Sequence, residues 1–308
     1  NEAWRSVEKV NSVTYQPGDR ILFKAGCTWE APAAPKEADT LDSEADTDND
    51  GRPEEFLAPK GSGMEDEPIV LGAYGEGDLP KLVGNANVNS VVTLKDQEYW
   101  DISNLDVSNQ APDFEPNTGK DSENAKLMGN LRAIQIYGQS HSDDGITPGG
   151  TLNGFDLHDL YIHDVSGHVY WGGSPLDRGY PGVFGNMGND ASKRTGGIVF
   201  EVWEPTTESD MTEEDKAANT NDRPITFDDI NISNNIICNT SFGGITIKQW
   251  SGQGHDEVNL NGFHSDAVEA TNELWHRRFD TATAENGYTN EGFHPHTNVY
   301  VTNNYVSN

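Results

Sequence analysis

Tyr137, Glu201 and Lys248 each close a copy of one short pattern. The copies are Ala133-Ile-Gln-Ile-Tyr137, Gly197-Ile-Val-Phe-Glu201 and Gly244-Ile-Thr-Ile-Lys248, and a fourth, Val91-Val-Thr-Leu-Lys95, precedes them. Alternation sends Val92/Leu94, Ile134/Ile136, Ile198/Phe200 and Ile245/Ile247 to one side, which leaves the closing residues together on the other. A lysine, a glutamate and a tyrosine in one outward row can move protons. Elimination from a uronate sugar needs three groups: a base for the proton beside the carboxylate, a cation to neutralise that carboxylate, and an acid for the leaving oxygen. Lys248 suits the base if desolvation lowers its pKa, with Tyr137 or His276 as acid and Glu201 beside them. A plain Glu201–Lys248 ion pair is the structural alternative.

Other residues would grip or activate a sugar. Trp203 and Trp250 offer flat faces, Arg178, Arg277 and Arg278 offer forked donors for carboxylates, and Gln135 lies in the neighbouring outward row. Hydrolysis would instead need paired carboxylates, for which Asp143-Asp144 with Glu201 and Asp266 are candidates. The stretch Asp46-Thr-Asp48-Asn-Asp50-Gly51 has alternating oxygens and a glycine where a calcium loop turns sharply. Leu57 occupies the usual closing position, so Glu54 or Glu55 would complete the shell. The ligand set read here is Asp46, Asp48, Asp50 and Glu54, with calcium in a structural role and a catalytic one open. His294-Pro-His296 is the other metal candidate, although no third ligand is spaced to join it. His158 and His163 read as surface decoration.

These residues need elements to place them. A second pattern recurs four times: Ile102-Ser-Asn104-Leu-Asp-Val107-Ser-Asn109, Leu157-His-Asp159-Leu-Tyr-Ile162-His-Asp164, Ile232-Ser-Asn234-Asn-Ile-Ile237-Cys-Asn239 and Val301-Thr-Asn303-Asn-Tyr-Val306-Ser-Asn308. Each has Asn or Asp two and seven residues after the first aliphatic, as coils of a solenoid require: aliphatics inward, and turn residues that tolerate left-handed backbone and cap it. Stacked at about 4.8 Å, equivalent residues form ladders. Connections after Tyr137, Glu201 and Lys248 run to about 19, 30 and 52 residues before the next repeat, so long loops should crowd one side.

Trp4, Val7 and Val10 share a helical face, which predicts a short N-terminal capping helix. A turn at Gln16–Asp19 and a strand over residues 20–24 follow. The run Pro17-Gly-Asp-Arg-Ile-Leu-Phe-Lys-Ala-Gly-Cys-Thr-Trp29, followed by Pro68-Ile-Val-Leu-Gly-Ala-Tyr-Gly-Glu-Gly77, resembles the N-terminal part of secreted right-handed parallel β-helix proteins of the pectin-lyase-like superfamily. Most of those are polysaccharide lyases and glycoside hydrolases. The resemblance implies an all-β, right-handed parallel β-helix over residues 1–308 as a single domain, with 34–66 as an acidic insertion. It also implies export to the extracellular space or periplasm, and a Lys or Arg base often assisted by calcium.

The chain of 308 residues carries 51 acidic against 20 basic side chains, a formal charge of −31. That disfavours nucleic-acid binding, since phosphates need a basic surface, and suits solubility in salty or calcium-rich surroundings. No apolar run is long enough to span a membrane. Cys27 and Cys238 lie far apart along a solenoid axis and read as free thiols. The natural chain is expected to continue beyond residue 308, since solenoids need caps. The leading expectation is a monomeric lyase acting on a uronate-containing polysaccharide, with a glycoside hydrolase and a non-catalytic carbohydrate-binding or adhesin solenoid as alternatives.

Overall fold

The structure is a computed structural model that describes residues 4–33, 53–112, 131–139, 151–166, 195–203, 226–241, 243–248 and 296–307, with the side chains of Gln139, Val202, Trp203 and Lys248 left aside. Helix α1 (Val7–Asn11) precedes a triplet of strands that repeats. The first coil holds β1 (Arg20–Lys24), β2 (Thr28–Glu30) and β3 (Glu55–Leu57). The second holds β4 (Ile69–Tyr74), β5 (Lys81–Val83) and β6 (Ser90–Lys95), and the third β7 (Trp100–Ser103), β8 (Asp106–Asn109) and β9 (Arg132–Gln139). Then come β10 (Thr151–His158), β11 (Tyr161–Val165) and β12 (Gly196–Trp203), followed by β13 (Thr226–Ser233), β14 (Ile236–Thr240) and β15 (Gly243–Lys248). Strands β16 (Thr297–Thr302) and β17 (Tyr305–Ser307) end the series. Every third strand pairs in parallel, giving three sheets in the orders β1-β4-β7-β10-β13-β16, β2-β5-β8-β11-β14-β17 and β3-β6-β9-β12-β15. This is the expected right-handed parallel β-helix. Among the described residues no helix is long and apolar enough to cross a membrane.

The core follows from the alternation. Val92, Leu94, Ile134, Ile136, Ile198 and Phe200 are buried, with Ile102, Val107, Leu157, Ile162, Ile232 and Ile237 from the other two sheets. Phe155, Phe200 and Phe227 meet edge-on, with centroids 5.4–5.7 Å apart, and tie the first sheet to the third. Gly197 is fixed by packing, because a Cβ there would lie 2.5 Å from the Gly244 carbonyl and 3.0 Å from Ile237.

The turn residues behave as their types dictate. Asn104, Asp159, Asn234 and Asn303, each two after the leading aliphatic, all have φ between 52° and 59°. Asn109 is fully buried. Its Oδ1 accepts from Ala86 N, and its Nδ2 lies within 3.0–3.3 Å of the Val88, Asn89 and Arg132 carbonyls. The residue after each left-handed one forms a further ladder: Leu105 and Leu160 are buried, Asn235 donates to the Leu157 carbonyl and accepts from Leu160 N, and Asn304 donates to the Ile232 carbonyl.

Helix α1 caps through Val7 and Val10, which are buried, with Ser6 as its N-cap. Trp4 departs from the expected face: it is 49% exposed, with the Lys9 ammonium 5.5 Å over its ring. The helix begins after Trp4, so the indole never joins the buried stripe. Cys27 and Cys238 are free thiols.

Candidate active site on the outer face of the first sheet

The residue just before each repeat lies on the outer face of the first sheet, because its neighbours point inward: Trp100 and Ile102, Phe155 and Leu157, Ile230 and Ile232. In register these outward residues are Asp101, Asp156, Asn231 and Tyr300, one per coil. Asp101 and Asp156 thus stand on adjacent strands, about 4.8 Å apart at the backbone. The Asn231 amide donates to Asp156 Oδ1 at 3.0 Å. Tyr300 is 54% exposed, one coil beyond Asn231. The long connections after β9, β12 and β15 lead into β10, β13 and β16, the strands that carry Asp156, Asn231 and Tyr300.

His158 lies two residues beyond Asp156 on the same face. Its Nδ1 contacts Asp159 Oδ2 at 2.7 Å and its Nε2 approaches Asp101 Oδ1 at 3.3 Å. The second approach lacks hydrogen-bond alignment, so it acts as a charge contact when the ring is protonated. Burial lowers the His158 pKa, but the Asp159 hydrogen bond and the Asp101 and Asp156 charges outweigh it and hold the imidazole above its ordinary value. For Asp156, desolvation pushes the carboxyl above the ordinary carboxylate range. His158 and the Asn231 hydrogen bond pull it back, while Asp101 and Asp229 add to the rise. One carboxyl that holds its proton longer than usual, beside a second carboxylate, is the arrangement that acid-assisted bond cleavage needs.

The second sheet repeats the histidine device. His163 Nε2 lies 2.9 Å from Asp106 and its Nδ1 2.7 Å from Asp164, with Tyr161 stacked on the ring at 4.5 Å. Both histidines, read from sequence as decoration, are wedged between two carboxylates, one from the next residue and one that the preceding coil brings into register. The Asp106 hydrogen bond raises the His163 pKa against its burial. A raised folded pKa stabilises below the unfolded value, near 6.5, and that stabilisation is lost as pH climbs through the folded pKa. His163→Ala should therefore lower the melting temperature at pH 5.5 by about 2–4 °C and much less at pH 9. Thermal melts of both proteins at the two pH values check this, and an equal loss at both would mean packing rather than charge.

The row expected on the third sheet forms in register: Lys95 with Tyr137, Tyr137 with Glu201, Glu201 with Lys248, and beside it Thr93, Gln135, Val199 and Thr246. Glu201 points away from the core yet is only 1% exposed. A buried chain of hydrogen bonds reaches it: Arg132 donates to Ser90 (2.9 Å), Ser90 to Gln135 (3.0 Å), and Gln135 to Glu201 (3.4 Å). Gln135, expected to bind sugar, is thus engaged within the protein. Glu55, on the same sheet, has its carboxyl pushed up by desolvation and then by Glu54, against Lys95, Lys60 and Arg132, though its exposure to solvent screens that rise.

Arg178, Trp250, His276, Arg277 and Arg278 lie outside the described residues, as do Asp143, Asp144, Asp266 and His294; Trp203 and Lys248 are placed by backbone alone. Of the calcium set, Asp46, Asp48 and Asp50 also lie outside them, and Glu54 accepts from Asn89 at 3.1 Å. His296 Nδ1 accepts from Phe227 N. Among the described residues no group of three His, Cys, Asp or Glu side chains is arranged to hold a metal ion.

No protein-family model matches the chain. A lacto-N-biosidase of Bifidobacterium longum subsp. longum is 29% identical over 189 residues, which is 55% of this chain and 11% of that protein. The chain therefore spans about a tenth of the length of this curated relative. Two crystal structures of the GH136 lacto-N-biosidase from Eubacterium ramulus, native and selenomethionine, cover 98% of this chain and 37% of theirs, at 22% identity and TM-scores of 0.53 and 0.50. At that identity the likeness speaks for the shared β-helix. The expectation of a β-eliminating lyase, with Lys248 as its base, is overturned: the proteins this chain is similar to are glycoside hydrolases.

Proposed function

We propose that this chain is part of a glycoside hydrolase acting on an oligosaccharide, of the lacto-N-biosidase kind named for its relatives, with Asp101 and Asp156 as its paired carboxylates. The observation that carries the reading is their register on adjacent strands of one outer face. Carboxyls carried by adjacent strands, whose backbones run about 4.8 Å apart, suit double displacement, whereas inverting enzymes hold them farther apart to admit a water between. Asp156, whose carboxyl is pushed up, protonates the glycosidic oxygen as the bond to the anomeric carbon breaks. The Asp101 carboxylate attacks that carbon and forms a glycosyl ester. Asp156, now ionised, takes a proton from a water whose oxygen bonds to the anomeric carbon as the ester to Asp101 breaks, which releases the sugar and restores both groups. Asn231 holds Asp156 in place through its amide.

Tyr300, two coils from Asp156 in the same row, supplies a flat face for a neighbouring sugar ring at about 9.6 Å, twice the strand spacing. Tyr300→Ala should raise KM about tenfold with kcat within twofold, as expected for lost stacking that acts equally on substrate and transition state. A kcat loss without a KM change would remove Tyr300 from the substrate path.

The test is release of p-nitrophenol from a p-nitrophenyl lacto-N-bioside, run beside a reducing-sugar assay on a wider oligosaccharide panel. New reducing ends without absorbance near 235 nm are expected. Silence across the panel, or an unsaturated product, would overturn the reading.

A further inference from the structure

A cavity of about 720 Å³ opens at the N-terminal end of the β-helix, away from the acid pair. Helix α1 packs on β3, while β1 is the terminal strand of the first sheet, so among the described residues one side of its backbone ladder has no strand partner. The cavity forms between that edge and α1. Its aromatic lining includes Trp4, Trp29 and Tyr74, and its cations are Arg20 and Lys24. Trp29 is held in place by an edge-on contact with Phe23, centroids 4.7 Å apart. Tyr15, deeper in, anchors through its hydroxyl to the Val10 carbonyl. Trp4 and Tyr74 are 49% and 44% exposed.

The charge of this lining is opposite to that of the chain. Acidic residues outnumber basic ones 51 to 20 over the whole sequence, yet among the described residues the cavity is lined by two cations and no carboxylate. Flat apolar faces suit the C–H faces of a pyranose ring, and Arg20 and Lys24, at the two ends of β1, each offer a cation for a carboxylate. The unpaired edge of β1 adds backbone donors and acceptors for hydroxyls. We propose that this cavity is a second, non-catalytic glycan site that takes the carboxylate-bearing end of an acidic oligosaccharide. A site of this kind would hold a charged glycan while the acid pair works elsewhere on the chain. It does not rest on the hydrolase reading: Arg20 stands in the same row two coils before Asp101, but neither Asp101 nor Asp156 lines the cavity.

Titration calorimetry of the whole chain tests it, with 3′-sialyllactose, a glucuronate-containing disaccharide and neutral lactose as probes. Either acidic probe should bind, and which of the two does so identifies the source of the carboxylate; lactose should bind about tenfold more weakly or not at all. The double variant Arg20→Ala, Lys24→Ala, both exposed on the edge strand, should fold normally by circular dichroism and lose about tenfold in affinity for the acidic probe. Trp29→Phe should weaken binding while leaving glycoside hydrolysis unchanged. Equal binding of lactose and the acidic probes, no binding of either acidic probe, or binding untouched by the double variant would each overturn the proposal. Asp156→Asn, which abolishes hydrolysis on the reading above, should bind the acidic probe as the parent does, so failure of one site is distinguishable from failure of the other.

Discussion

Asp156→Asn should lower kcat for glycoside hydrolysis by about a thousandfold or more, and Asp101→Asn by at least as much, with the fold intact in both. The two losses have different causes. An amide at 156 cannot give its proton to a departing oxygen, so the penalty should shrink on substrates with an activated aryl leaving group that departs unprotonated. An amide at 101 cannot form the ester, so its penalty should persist whatever the leaving group. Neither should destabilise the protein, because both side chains lie on the outer face and the apolar residues flanking them carry the core. Kinetics on an aryl glycoside and a natural oligosaccharide, with melting curves alongside, check all of this. Full activity in either variant would remove that residue from the chemistry.

Asn109→Ala should be the most destabilising single truncation in the turn ladders, costing about 3 kcal/mol or more. One side chain there satisfies Ala86 N and reaches three carbonyls from the Val88–Asn89 and Arg132 segments. Removing it takes these hydrogen bonds away from a buried backbone donor and from buried carbonyls, of which Asn89 O keeps the Arg132 N–H, at about 1–3 kcal/mol for each group left short, offset in part by relaxation. Gly84 shares the arrangement, since a Cβ there would lie 2.2 Å from Asn109 Oδ1. By contrast, Asn303→Ala, on an exposed turn, should cost about 1–2 kcal/mol, mostly for the left-handed backbone that alanine tolerates less well. Denaturant melts of the two variants give the comparison, and equal losses would contradict the account of the buried ladder.

The architecture was legible because the repeats state it. Aliphatics at fixed offsets predicted the inward rows, and Asn or Asp two residues on predicted left-handed backbone at all four turns. The register of the third sheet followed from aligning four short patterns, and each pair fell where alignment placed it. The chemistry was less legible. Attention went to the longest loops and to the row ending in Lys248, where rich chemistry coincided with an outward position. Yet the described end of that row, Glu201, is buried within a hydrogen-bonded network. The signal for Asp101 and Asp156 was present one residue earlier in the other repeat, as an acid between two core residues in consecutive copies: Trp100-Asp101-Ile102 and Phe155-Asp156-Leu157. The repeat is most regular from its first aliphatic onward, and the position before it varies in type, from Asp101 and Asp156 to Asn231 and Tyr300. The wedged histidines were missed for a related reason. The partners of His163 include Asp106, far away in sequence but adjacent once coils stack, and a sequence taken alone weighs near neighbours over stacked ones.

The lyase expectation failed on chemistry rather than on fold. One β-helix face can present a lysine for elimination or a carboxylate pair for hydrolysis, and the fold does not choose between them. The hydrolase proposal rests on the 29% identical relative, together with two acids on adjacent coils.

Proton NMR of the first-formed product, followed during hydrolysis in D2O, tests the paired-carboxylate account most directly. Carboxyls on adjacent strands predict that the released sugar appears first with the anomeric configuration of the bond cleaved, and then mutarotates. Initial appearance of the opposite anomer would contradict double displacement by Asp101 and Asp156.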